Sequence, residues 1–136
     1  MSTLFRIHSD LRWLLVAVAV IAVIRLAVAL MRRQKYDRSS RVLMLAFSIL
    51  VDVQVAVGLV YFLWNGFKYD LWPRYRFEHL ALMLVAAAIA HLPMRWKNAP
   101  DTTRTRNDLL TVIVAMAVIV VAVLVLPGGT DRWQLP

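Results

Sequence analysis

Apolar and polar positions alternate along the chain in long blocks. Residues 13–31 run 19 positions with Arg25 as the single charge, residues 42–64 are interrupted only by Asp52, and residues 109–126 run 18 positions without a charge. A fourth block, residues 77–94, is also 18 long and carries Glu78 and His79 at one end and His91 near the other. Crossing about 30 Å of hydrocarbon takes roughly 20 helical residues, so each block predicts a transmembrane helix. The 77–94 block reaches about 27 Å at the helical rise and spans only with its polar ends near the two interfaces. The pattern predicts helices over approximately 8–31, 41–64, 77–94 and 108–126.

The connections between these blocks are short. "NGFKYDLWPRYR" contains Pro73 and reads as turn-rich, and "KNAPDTTRTRND" ends in Asn107 and Asp108, either of which suits the cap of the last helix. Short loops between successive helices favour an up-and-down antiparallel bundle. The predicted fold class is therefore an all-α integral membrane protein, with residues 1–136 forming a single transmembrane domain. The first helix is too long for a typical signal-peptide core and is followed by "MRRQKYDRSSR" rather than a small-residue cleavage site, so it is expected to remain. The C-terminal "PGGTDRWQLP" reads as a turn and a short external tail.

Composition agrees with the membrane class: 61% of the 136 residues are hydrophobic. The net charge of +8 looks at first like a nucleic-acid signal, but its distribution follows the loops. Nine basic residues (Arg32, Arg33, Lys35, Arg38, Arg41, Arg95, Lys97, Arg104, Arg106) fall on one side, and six (Arg6, Arg12, Lys68, Arg74, Arg76, Arg132) on the other. The positive-inside rule places the nine in the cytoplasm and both termini outside a bacterial inner membrane. Anionic lipid head groups are sufficient partners for this charge, and no nucleic-acid motif is present. Tyr61, Phe62, Trp64, Phe67, Tyr69 and Trp72 gather at one membrane surface as an interfacial belt, and Trp96 marks the other. With no cysteine, the chain can hold no disulfide, iron–sulfur cluster, thiolate metal site or covalent c-type haem.

Ionisable groups inside apolar helices need a purpose or a partner. His8 and His79 fall at about the same level near the outer surface, on helices that are neighbours or diagonal partners. His91 lies 12 residues beyond His79, about 18 Å deeper, so the three histidines cannot share one site. Two imidazoles on different helices at one level can ligate a haem iron without cysteine, and His8 with His79 is the one such pair. Arg12 and Arg76 are candidates for pairing with haem propionates, and Met83 continues the His79 face. "AAAIA", residues 86–90, leaves room for a flat ring or for close helix packing. The alternative is that these histidines simply sit at the membrane interface, with Glu78 pairing to Arg76 or Arg12. On the second helix, Ser48 and Asp52 share one face while Gln54, Gly58 and Tyr61 share a nearly opposite one. Arg25 is the expected salt-bridge partner of Asp52. A quinone head group at Gln54 and Tyr61, or a proton route through Asp52, Glu78 or His91, is the competing use of these groups.

"IHSDLRWLLV" (7–16), "QVAVGLVYF" (54–62) and "FEHLALMLVAAAIAH" (77–91), with the helix lengths, make the chain similar to small four-helix bacterial membrane proteins of the "cytochrome b"-like group. The resemblance implies one haem b carried by histidines, and the matching positions are His8 and His79. The expected function is thus a membrane-embedded electron-transfer subunit. Its haem b lies near the outer surface and exchanges electrons with quinone, in company with a membrane protein partner or a second copy of itself. It is an electron carrier or subunit rather than a complete enzyme. The alternatives are a haem-free accessory or assembly subunit of a larger membrane complex, or a small proton-coupled transporter using Asp52, Glu78 or His91.

Overall fold

The computed structural model describes residues 3–135. Among them the chain is all-helical. Its four long helices are α1 (Thr3–Met31), α2 (Arg38–Tyr69), α3 (Arg74–Ala90) and α4 (Asp101–Leu124), with 3-10 helices at Leu92–Trp96 and Gly129–Trp133. All four are long and apolar enough to cross a membrane, the third when Arg74–Trp96 is taken as one span. Each helix packs on two others: α1 on α2 and α4, and α3 on the same pair. The helices thus close a ring in which α1 and α3 face each other diagonally.

The core forms where buried positions recur at steps of three and four. On α1 these are Leu15, Ala19, Ala22, Leu26 and Ala29, and on α4 Thr105, Asp108, Val112, Ala115, Ile119 and Ala122. That spacing is the seam of a helix bundle. Alanine supplies much of it, including Ala86 and Ala90 on α3, which lets backbones approach closely. The "AAAIA" stretch is therefore packing surface at its buried positions, while bulkier Phe47, Val51 and Leu26 fill the remaining width. Large apolar side chains such as Leu14, Ile24, Ile49, Leu84 and Val114 point outward on every helix.

Helix ends differ from the sequence expectation for identifiable reasons. Asp37 caps α2 so that it starts three residues early, accepting the Ser40 N–H at 2.9 Å, and Asp70 ends it in a left-handed conformation (φ 52°). Pro93 cannot donate to Ile89, so α3 gives way at His91 to the tighter 3-10 helix. Neither Asn107 nor Asp108 caps α4. The helix begins at Asp101 after Pro100, and Asp108 lies two turns inside it, buried. Trp72 lies against Gly66, where a Cβ would collide with the indole, and meets Phe62 and Phe67 edge-on at 5.4 and 5.2 Å.

Arg25 does not reach Asp52. Its guanidinium turns instead to the connection after α1, pairing with Asp37 and donating to Gln34 Oε1 at 2.8 Å. Side-chain length explains this: α1 ends only two turns beyond Arg25, and the returning loop brings a carboxylate within reach. The Ser40 N–H and Arg25 together hold the Asp37 carboxyl at about 2, below the usual carboxylate range. A depressed folded value adds stability that is complete above the unfolded value of about 3.9 and is lost as pH falls through the folded one. Asp37→Asn, which keeps a capping oxygen, is expected to lower the melting temperature near neutral pH. The gap to wild type should close between about pH 4 and about pH 2. Thermal unfolding in detergent across that window checks it, and a constant gap would rule out the ion pair as its source.

Candidate haem-type site between the diagonal helices

A cavity of about 240 Å³ opens at the end of the ring where α2 meets α3 and α4 meets the C-terminal segment. Its volume falls below the roughly 300–1,000 Å³ usual for ligand clefts. His8, Arg12, Gln54, Gly58, His79 and Met83 are among its walls.

His8 and His79 face each other across it from the diagonal helices, with ring centres 6.3 Å apart and planes at 83°. His79 is fixed by a feature of the end of α4. There the helix tightens, and the Leu126 N–H bonds Val123 O at 3.1 Å. The Ala122 carbonyl one position earlier accepts from His79 Nδ1 at 2.6 Å. A carbonyl can only accept, so Nδ1 carries the proton and Nε2 keeps its lone pair. Metal-ligating histidines are oriented in this way. His8 is placed from the other side. Gln54 Nε2 donates to the His8 carbonyl at 2.8 Å, and Gly58, one turn further along α2, leaves the space that the ring fills. A Cβ at position 58 would stand 2.8 Å from His8 Cε1.

Three buried polar atoms along this cavity have no hydrogen-bond partner: His8 Nδ1, Arg12 Nε and Gln54 Oε1. Orphaned groups of this kind are rare and call for an explanation such as a ligand. The described lining residues include Arg12, Arg76 and Arg132 and no carboxylate, so the cavity is electropositive. Arg12 lies between two indoles, 5.5 Å from the Trp13 ring centre and 5.2 Å from that of Trp133. Arg76 donates to Leu71 O at 2.9 Å and leans over Tyr61, 5.4 Å from its ring centre.

The sequence-predicted residues divide. His8, His79, Arg12, Arg76, Met83, Gln54 and Tyr61 all line this one cavity, so the haem candidates and the quinone candidates share a site. Glu78 is not part of it. It pairs with Arg74 one turn earlier, at 2.7 Å, and not with Arg76 or Arg12. Asp52 and His91 are also outside it and pair with each other. The C-terminal segment is the part that sequence reading missed. Rather than trailing away, it turns at Gly128 and Gly129 (φ 92° and 41°), brings Arg132 to the cavity, and sets Trp133 edge-on to Trp13 at 6.1 Å. The signal was present in "PGG" followed by "RW": a turn able to reverse, then a cation and an indole.

A haem b asks for two axial nitrogens, positive charge for its propionates and apolar walls. Two metal–nitrogen bonds of about 2 Å each put imidazole centres on the order of 6 Å apart, as the His8 and His79 rings are. The lining supplies residues of each of these kinds. Comparison with protein-family models, curated proteins and solved structures finds no match to this chain.

Proposed function

We propose that the protein is a membrane-embedded electron-transfer subunit that holds one haem b between His8 and His79. The carrying observation is the 6.3 Å separation of two imidazoles on diagonal helices, one already oriented by a backbone carbonyl. Bound haem supplies reversible one-electron carriage at its iron. The chain's own residues do the rest. The Nδ1–H bond to Ala122 keeps the His79 ring from turning and raises its basicity. Gln54 anchors the stretch of α1 that bears His8. Arg12, Arg76 and Arg132 offer positive charge to carboxylates. Met83, Leu80 and Ile119 help to exclude water.

The outward apolar side chains support insertion in a bilayer. Short connections and neighbour-to-neighbour packing support an up-and-down antiparallel order. The basic loops then face the cytoplasm, and both termini and the cavity lie on the outer side of the inner membrane. One haem at the outer level gives no chain of centres across the bilayer, so electrons pass to or from a partner protein. A second reading gives the same cavity to a quinol, because Gln54 Oε1 is a buried acceptor awaiting a hydroxyl and Tyr61 stands nearby.

An optical spectrum of the detergent-purified, haem-supplied protein, oxidised and then dithionite-reduced, tests the proposal. A sharp reduced α-band with one pyridine haemochrome per chain is expected, and a colourless protein that binds a short-chain quinol would favour the second reading. Gly58→Ala is expected to push the His8 ring aside and weaken haem retention roughly tenfold, a loss of the size seen when a ligand's support is disturbed. Haem transfer to apomyoglobin measures it.

A further inference from the structure

The pair formed by Asp52 and His91 stands apart from the histidine cavity and has no role in the function above. His91 Nε2 meets both Asp52 carboxylate oxygens at 2.9 Å, joining α2 to the end of α3. Both side chains are 47% exposed. They face away from the ring, since α2 turns Val51 and Gln54 inward. Asp52 is ten residues from Val42 and twelve from Trp64, about 15 and 18 Å from the two ends of its apolar run. His91 precedes Trp96 by five residues, about 10 Å of 3-10 helix. In the membrane placement proposed above, on which this inference rests, a half-open polar pair would meet hydrocarbon well below the surface. Ionisable groups at such depth are covered by protein or water.

The surroundings resemble a helix-packing face. Ser48 and Ala56 flank Asp52 one turn away on either side, and Ala88 precedes His91 by three residues. Ala56 and Ala88 are exposed, and the Ser48 hydroxyl turns back to Leu45 O at 3.0 Å, presenting little bulk. Exposed Leu45, Ile49 and Leu84 lie around them. In a bilayer, small residues permit close approach and polar contacts supply the attraction. We propose that this α2–α3 face binds the same face of a second copy of the chain. The polar pair selects that occupant. Both contacts use His91 Nε2, which leaves its Nδ1 and the remaining Asp52 lone pairs unengaged. A two-fold axis sets each copy's unengaged imidazole nitrogen against the other's carboxylate, so one surface complements itself.

The chain has no cysteine, so single introduced cysteines report the contact cleanly. Ala56→Cys and Ala88→Cys are placed separately in the full chain, and alkaline-washed membranes are oxidised with copper phenanthroline. Ile21→Cys, exposed on α1, serves as the control. A disulfide-linked dimer from either α2–α3 position, absent in the control and reduced roughly threefold or more by Asp52→Asn, is expected. Three results overturn the proposal: monomer only at both positions, equal dimer in the control, or adducts solely of another mass. A chain washed out of the membrane overturns the membrane placement and this proposal together, whereas a membrane-retained monomer overturns this proposal alone.

Discussion

His79→Ala is expected to abolish stable haem binding, with the pyridine haemochrome falling from one per chain to background, while His91→Ala keeps the full spectrum. His79 is the proposed ligand whose ring is held in advance, because its Nδ1 is tied to Ala122 O at 2.6 Å and the residue lines the cavity. Losing such a ligand should exceed the about 10–100-fold penalty for losing only its outer hydrogen-bond partner. His8→Ala should behave differently. The His8 Nδ1 has no partner, and removing its ring beside Gly58 leaves an open space with His79 still held. That variant is expected to retain weakened haem with an altered spectrum, restored by millimolar imidazole entering the vacated position. Titrating both variants with haem and imidazole measures the difference. If both alanine variants stay coloured like wild type, this pair does not hold the iron. If His91→Ala alone bleaches, the site lies elsewhere on α3.

Much of this site was legible because it depends on counting along helices. Apolar run lengths disclosed four helices, and residue spacing put His8 and His79 at one level. What spacing along one helix cannot disclose is the rotation of one helix against another. Ser48–Asp52 and Gln54–Gly58 were recognisable as two opposed polar faces of α2, but not which one turns inward. Gln54 and Gly58 do so because α1 offers them the His8 carbonyl and ring. Asp52 was then left for His91, a partner 39 residues away whose approach depends on α3 ending at Ala90, ahead of Pro93. Arg25 went to Asp37 because a six-residue connection brings that carboxylate back to α1, a proximity set by the loop and not by helical periodicity. The polar run "DTTRTRND" read as loop because its charges masked two buried positions, Thr105 and Asp108, that extend the α4 seam inward by two turns.

Asp108 carries the second large expectation. Asp108→Ala should destabilise the fold by about 3 kcal/mol, the scale of removing a charged acceptor from buried donors. The carboxylate is 1% exposed and ties three parts of the chain together. Its Oδ2 accepts from the Tyr36 hydroxyl at 2.5 Å, and its Oδ1 from Trp96 Nε1 at 2.8 Å. Tyr36 belongs to the connection between α1 and α2, and Trp96 to the 3-10 helix after α3, so one side chain on α4 closes the end of the ring opposite the cavity. Burial first, and then the Asp108 contact, raise the Tyr36 phenol above its ordinary range, so it stays protonated and remains a donor. Arg104 stacks on the same ring, 3.7 Å from its centre, and keeps it in place. Alanine at 108 orphans both donors at once, whereas Asp108→Asn keeps an oxygen for one of them and should cost about half as much. Reversible unfolding of the purified protein in mixed micelles measures these differences. A double-mutant cycle with Tyr36→Phe should return a coupling of about 1 kcal/mol or more, as expected for groups sharing one hydrogen bond. Additive losses would mean that Tyr36 and Asp108 stabilise the ring end independently. Since the histidine cavity lies at the other end, haem content per folded chain should not change in Asp108→Asn, which separates support of the fold from support of the site.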